Sequence, residues 1–208
     1  MTTSNTKKRY PRPAISLIAT DIPKYGIDVF IGGSQGAADK AFHQQHNIKV
    51  IFNCAVNLDI DLATNTDPKH QSSLLNFGSG HVRYYKIGLI DGPGNPAAML
   101  LAGYHLMRSS LLQTMPEKAS YPVKEKGNIL VHCRGGRSRS VALVALFLHL
   151  EFPEQFPSLD AAINLIREKR ELHPDEWFET PKASLIEATR RAAEMEHCLR
   201  QAGFGSSS

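Results

Sequence analysis

The chain has 208 residues, 42% of them apolar and 21% charged, with a mean hydropathy of -0.26. It is long enough to bury a core without staples, and these values exclude a collagen-like, coiled-coil or wholly disordered chain. A net charge of +4 falls short of the clustering expected of a nucleic-acid binder but suits an anionic substrate.

Taken in chain order, residues 1–24 are expected to form a flexible polar arm, and residues 25–202 the folded domain. The first strand is predicted at Ile27–Ile31 and is ended by Gly32 and Gly33. Ser34 can cap a helix running to about His46, with Ala37, Ala38, Ala41 and Phe42 on its buried side. Ile48–Phe52 is short and β-branched, a second strand. Residues 57–80 are polar and turn-rich, a surface excursion. A third strand at Val82–Leu89 leads into the loop Asp91-Gly-Pro-Gly-Asn95. Asn95 as N-cap with Pro96 at the first position then starts a helix carrying Met99, Leu100, Leu106, Met107 and Leu111. A polar connection over 114–127 precedes the buried strand Asn128–His132. Val141–Leu150 is apolar nearly all round, a central helix. Leu159–Arg170 and Pro181–Gln201 complete the set, the last helix capped by Thr180 and stopped by Gly203. Residues 203–208 are a frayed end. Alternating strands and helices predict an α/β domain with a mostly parallel sheet of four to five strands.

The chemistry concentrates in His132-Cys-Arg-Gly-Gly-Arg-Ser-Arg-Ser140, between a strand and a helix N-terminus. Such a loop converges backbone N–H groups on one point, and the helix dipole adds positive potential, which makes an anion cradle. Gly135 and Gly136 allow the backbone to turn inward. Cys133, at the entrance of the cradle, should carry a depressed pKa and act as a nucleophilic thiolate. Arg139, six residues on, can grip two phosphate oxygens with its planar fork.

His132-Cys133-x-x-Gly136-x-x-Arg139-Ser140 resembles the signature of the cysteine-dependent protein phosphatases, particularly the compact dual-specificity group. Val29–Ala37, Ile51–Cys54 and Tyr85-x-Ile-x-Leu-x-Asp91 resemble that family's early strand, second strand and acid-bearing segment, in the same order. The likeness covers about residues 27–172. It implies a two-step hydrolysis of phosphate monoesters through a phosphocysteine, with Cys133 as nucleophile and Asp91 as the acid that later becomes a base. Arg139 and the loop residues Arg134, Gly135, Gly136, Arg137 and Ser138 would hold the phosphate. Ser140 would assist departure of the thiolate, while His132 would order the loop and lower the cysteine pKa. Asp91 lies 42 positions before Cys133, more than is usual in the family, through an insertion within 114–127. Asp59, Asp61 and Asp67 are the other loop carboxylates. His173-Pro-Asp-Glu-Trp177-Phe178 stands where the family often has a Pro-Asn turn, and Trp177 is expected in the core or at a hinge.

A phosphorylated protein is the first substrate implied, carrying phosphotyrosine, phosphoserine or phosphothreonine. Arg134 and Arg137 are basic where many dual-specificity members are neutral, and in this the loop is similar to that of the superfamily's lipid-phosphate members. An anionic phospholipid or polyphosphorylated substrate is therefore the alternative. A sulfurtransferase of the rhodanese type has a shorter loop and needs no acid like Asp91, and a phospho-binding pseudophosphatase usually lacks the Cys, Arg or Asp kept here. No cofactor is implied, and nine scattered histidines give no metal-ligand spacing. Cys54, Cys133 and Cys198 are far apart and odd in number, which predicts a reducing, cytoplasmic setting. Cys54 is expected to be a core residue; resemblance to relatives in which a second cysteine traps the oxidised nucleophile gives a redox role as its alternative. Lys7-Lys8-Arg9 reads as a solvated tail, no secretory leader is recognisable at Met1, and no apolar run is long enough to span a membrane.

Overall fold

The computed structural model describes residues 10–66 and 78–204. Asp67, the basic tail Lys7–Arg9 and the end 205–208 lie outside the described residues. Among the described residues seven strands form: β1 (Ile15–Ile22), β2 (Ile27–Gly32), β3 (Ile48–Ala55), β4 (Ala63–Thr66), β5 (Gly78–Gly80), β6 (Arg83–Leu89) and β7 (Asn128–His132). Six α-helices accompany them: α1 (Ser34–Ala37), α2 (Lys40–Gln45), α3 (Ala97–Leu112), α4 (Arg139–Glu151), α5 (Leu159–Lys169) and α6 (Ala183–Gln201).

Five strands make one sheet in the order β1-β2-β7-β3-β6. The four from β2 to β6 run parallel, and β1 is antiparallel at the edge. Alternation along the parallel strands sorts side chains to two faces. Val29, Ile31, Val50, Phe52, Ile129 and Val131 pack with α3 to α6 in the larger core. Phe30, Ile51 and Leu130 point the other way and pack with Ala37 and Phe42 of α1 and α2. Helix α4 crosses the larger core. Every residue from Val141 to Leu148 is at most 1% exposed, and each buried Val, Leu or Phe contributes about 1.5–3 kcal/mol.

Several boundaries differ from expectation. The arm predicted over 1–24 contains β1, whose residues pair with β2 from Ile15↔Gly32 to Ile22↔Ile27. The short patch Ile15–Ile18 is too small to announce a strand by itself, yet the edge of the sheet supplies a partner for its backbone. The single helix expected from Ser34 to His46 is broken in two at Asp39. There the carboxylate accepts from Phe42 N–H at 3.0 Å and caps α2, a local bond that competes with helix continuation. Within the excursion over 57–80, β4 and β5 form a small antiparallel pair. Helix α3 starts after Pro96 rather than being capped by Asn95, because the Asn95 amide is used elsewhere. Thr180 likewise does not cap α6, which starts after Lys182. Its buried hydroxyl donates to Glu176 O at 2.9 Å. Trp177 is 41% exposed rather than in the core. Its indole N–H donates to Leu172 O at 2.9 Å, and the Arg167 guanidinium stacks 5.0 Å above its ring.

Candidate active site

Strand β7 is the middle strand of five, and its last residue, His132, lies in register with Gly32 of β2 and Asn53 of β3. The loop 133–138 therefore leaves the carboxyl end of a fully flanked parallel strand and enters α4 at Arg139, the position where α/β sheets present binding crevices. A cavity of about 280 Å³ opens there, lined by Asp91, Cys133, Arg134, Arg137, Arg139 and Arg12 among others.

Cys133 is 2% exposed, with Sγ 3.4 Å from Ser140 Oγ. Burial pushes the thiol up. The Ser140 hydroxyl, the Ser140 N–H, the Arg139 charge and the Arg137 N–H together outweigh it, so the pKa falls below the ordinary thiol value. Arg139 is itself buried. Its Nη1 donates to Asn57 Oδ1 at 3.1 Å and Leu89 O at 3.3 Å, which fixes the guanidinium plane. Its buried Nε has no partner among the described residues.

Gly136 adopts φ +62°, and a Cβ there would meet Gly32 O at 2.5 Å. Gly135 differs from expectation: a Cβ would find only the Arg137 side chain, at 3.8 Å. One glycine, not two, is required by the turn. The loop is tied from outside as well. Ser34 N–H donates to Arg134 O at 3.0 Å, and Lys182 N–H donates to Ser138 Oγ at 3.3 Å.

His132 is fully buried, and burial lowers its pKa to about 4 despite the opposing bond to the Cys133 carbonyl. At neutral pH the ring is uncharged, and the groups that lower the Cys133 pKa are Ser140, Arg139 and Arg137. The ring Nδ1 lies 3.4 Å from Cys133 O, and since a carbonyl only accepts, Nδ1 carries the proton.

Asp91 faces the same cavity from the loop after β6. Asn95 holds that loop in shape. Its Oδ1 accepts from Ile90 N–H at 2.8 Å, and its amide donates to Ile90 O and Gly92 O, both at 2.9 Å. Lys182 Nζ donates to Asp91 O at 2.7 Å and sits 3.8 Å from Asp91 Oδ2. Asp59 instead pairs with Lys86, and Asp61 Oδ1 accepts from Ala63 N–H.

The two extra loop cations part company. Arg137 Nη1 lies 2.8 Å from Glu176 Oε1 and 3.2 Å from Glu179 Oε1, so its charge is largely compensated within the protein. Arg134 is exposed. The segment expected to be a flexible arm brings a further cation, Arg12, whose Nη2 is 3.2 Å from the same Glu176 Oε1. Tyr10 anchors this segment by stacking on His173 at 3.7 Å between ring centroids. Its hydroxyl also donates to Asp175.

Sequence reasoning missed Arg170, the largest fully buried side chain among the described residues. Its Nε donates to Gly136 O at 3.0 Å, and its Nη1 to Pro13 O at 2.9 Å and Ser16 Oγ at 3.0 Å, joining the loop to β1. It missed Arg12, Asn57 and Lys182 too. Single polar residues far away in sequence carry no periodic signal. Cys54, fully buried at the end of β3, has its pKa pushed well up, first by burial and then by Cys133. Among the described residues, no cluster of three or more metal-ligating side chains occurs, and no helix is long and apolar enough to cross a membrane.

No protein-family model matches the chain, and no curated protein matches it in sequence. Solved structures do resemble it. Human DUSP28 is 15% identical with a TM-score of 0.57, over 92% of this chain and 99% of that one. The Yvh1 phosphatase domain from Chaetomium thermophilum is 21% identical with a TM-score of 0.56, over 86% and 94%. PTPMT1 in complex with PI(5)P is 16% identical with a TM-score of 0.53, over 90% and 99%. With a five-stranded, mostly parallel sheet and the Cys133 loop at its centre, the chain has the fold of the compact dual-specificity phosphatases.

Proposed function

We propose that the chain is a cysteine-dependent phosphatase that hydrolyses phosphate monoesters through a phosphocysteine. The observation that carries this reading is the Cys133 thiol, lowered in pKa although fully buried, in a cavity shared with Arg139 and Asp91. The thiolate attacks phosphorus and the bond to the leaving oxygen breaks. Asp91, protonated, supplies that oxygen with its proton. Arg139 and the loop N–H groups take the negative charge on the equatorial oxygens. Water then attacks the phosphocysteine, Asp91 as carboxylate accepts its proton, and the P–S bond breaks to release phosphate. The Ser140 hydroxyl donates to the departing thiolate. Gly135, Gly136 and Ser138 contribute backbone to the phosphate site, and Ser138 also anchors the loop to Lys182.

The first substrate class is a phosphorylated protein, as the dual-specificity resemblance implies. A specific observation favours the second class, an anionic phospholipid or other polyphosphorylated substrate: Arg12 joins Arg134 at the cavity. The PTPMT1 neighbour was solved with a phosphoinositide. Phosphopeptides, phosphoinositides and 4-nitrophenyl phosphate, assayed side by side with the wild type and Cys133→Ser, test the reading. Turnover lost in Cys133→Ser supports it. Turnover that survives in a folded, uncontaminated variant refutes it.

A further inference from the structure

Beside the catalytic cavity lies a second one of about 320 Å³, walled by Arg12, Gly33, Gly36, Arg134, Gly135 and Arg170 with neighbouring backbone. Arg12, Arg134 and Gly135 line both cavities, so the Arg134–Gly135 corner of the loop is a common wall. The second cavity has three arginines in its lining and no carboxylate.

The charge of these arginines is incompletely answered by the protein. Arg170 is held by two carbonyls and a hydroxyl, not by an acid. Burial, and next the positive charge of Arg12, lower its pKa to about 10. Arg12 shares its carboxylate partner, Glu176, with Arg137. Its Nη1 is buried with no hydrogen-bond partner among the described residues, a costly state for a charged donor. The Arg134 side chain makes no hydrogen bond or ion pair among the described residues. Arg12 and Arg170, like charges in the lining of one cavity, form with Arg134 a receptor for an anion.

We propose that this second cavity is an anion subsite for another phosphate group of the substrate, carried with the scissile one on a small polyol scaffold. The scaffold is either free or the headgroup of a lipid. The proposal rests on the phosphatase reading and extends it. Two cavities with a common wall at Arg134 and Gly135 suit two phosphates carried on one small ring. In an extended peptide, adjacent side chains face opposite ways, and the next on the same face is about 7 Å further along. At Gly135 a Cβ would meet nothing closer than the Arg137 side chain at 3.8 Å, so the common wall is open beside the loop.

The test compares myo-inositol 4-phosphate with myo-inositol 4,5-bisphosphate as soluble substrates. The corresponding phosphatidylinositol phosphates in phosphatidylcholine vesicles form the lipid arm, and 4-nitrophenyl phosphate reports the chemical step. The kcat/KM of bisphosphate over monophosphate should be about tenfold or more in the wild type. It should fall by about fivefold or more in Arg12→Gln, and towards unity in Arg12→Gln with Arg134→Gln. A preference seen only with vesicles assigns the lipid source, and one seen with free headgroups the soluble source. A ratio near unity in the wild type, or unchanged in the double variant while 4-nitrophenyl phosphate is turned over, overturns the subsite and leaves the phosphatase reading standing. An Arg12-dependent preference for a doubly phosphorylated peptide alone overturns the polyol assignment. Absence of all turnover in a folded wild type would strike the phosphatase reading itself. Calorimetric titration of myo-inositol 4,5-bisphosphate into Cys133→Ser, with and without Arg12→Gln, still decides the subsite. Equal affinities would overturn it.

Discussion

Replacing Gly136 with alanine perturbs the loop at the point where it is pressed against the sheet. Residue 136 sits at φ +62°, a conformation that costs an L side chain about 1–2 kcal/mol. The new Cβ would lie 2.5 Å from Gly32 O, 2.6 Å from Gly32 C and 2.8 Å from Arg170 Nη2. Gly32 belongs to β2, whose register with β7 runs from Val29↔Ile129 to Gly32↔His132, so the strand cannot yield and the loop must. Movement of the loop breaks the Arg170 Nε bond to Gly136 O, a charge-assisted bond of about 1.5–3 kcal/mol. The sum is about 2.5–5 kcal/mol, and at about 2–4 °C per kcal/mol for a chain of this size the Tm should fall by about 5–20 °C. Displacement of the loop by about 1 Å would also lower kcat/KM on the order of a hundredfold. Gly135→Ala is the control. Its Cβ meets nothing closer than 3.8 Å, so stability should change by less than about 0.5 kcal/mol. Thermal unfolding and turnover of the two variants check the reasoning, and equal losses in both would refute it.

Asp91→Asn should slow hydrolysis of alkyl phosphates by about 10²- to 10⁴-fold, and that of an aryl ester with a good leaving group by less. Equal losses would move the acid role to another carboxylate. Ser140→Ala removes the hydroxyl that does most to oppose burial at Cys133, so the midpoint of iodoacetamide alkylation against pH should rise; an unchanged midpoint would show that the hydroxyl does not hold the thiolate. His132 titrates at about 4 in the fold against an ordinary value of 6.5, so the unfolded chain binds more protons between those values. Stability therefore declines as pH falls from 6.5 towards 4, by up to about 3 kcal/mol from this group. His43 and His81 are lowered too, so the measurement is the difference in slope between wild type and His132→Gln by urea unfolding. A difference of zero would place the ring outside the pH response. Arg170→Met should destabilise the protein and slow turnover together, as the tie between loop and β1 is lost; a fall in stability with unchanged kcat would make the residue structural only.

What the sequence makes legible depends on the range of each interaction. The strand–loop–helix unit from Asn128 to Glu151 is contiguous, and its apolar runs and glycine-rich turn encode it locally. The same holds for the elements that bear Asp91 and Cys54. Elements whose fate depends on distant partners are less visible. Ile15–Ile22 becomes a strand because β2 offers an edge, and Asn95 leaves the cap of α3 to clamp the Asp91 loop. Arg12 and Arg170 look like ordinary surface cations in the sequence, and only the fold brings them against residues 133–136. Arg134 and Arg137 look equivalent as letters in one loop. Two carboxylates from the turn around Glu176 separate them, and those carboxylates lie some forty positions away.

The central claim is that phosphate passes through Cys133. Rapid acid quench of the enzyme with a ³²P-labelled substrate, followed by peptide mapping, measures this directly. Asp91→Asn with a labelled aryl phosphate is the useful background: the good leaving group departs without the acid, and without the base the intermediate should persist. The expected result is label on the peptide containing Cys133, retained in base and released by iodine as a P–S bond requires, and absent in Cys133→Ser. Label on another residue, or turnover without any trapped label while Cys133→Ser remains active, would contradict it.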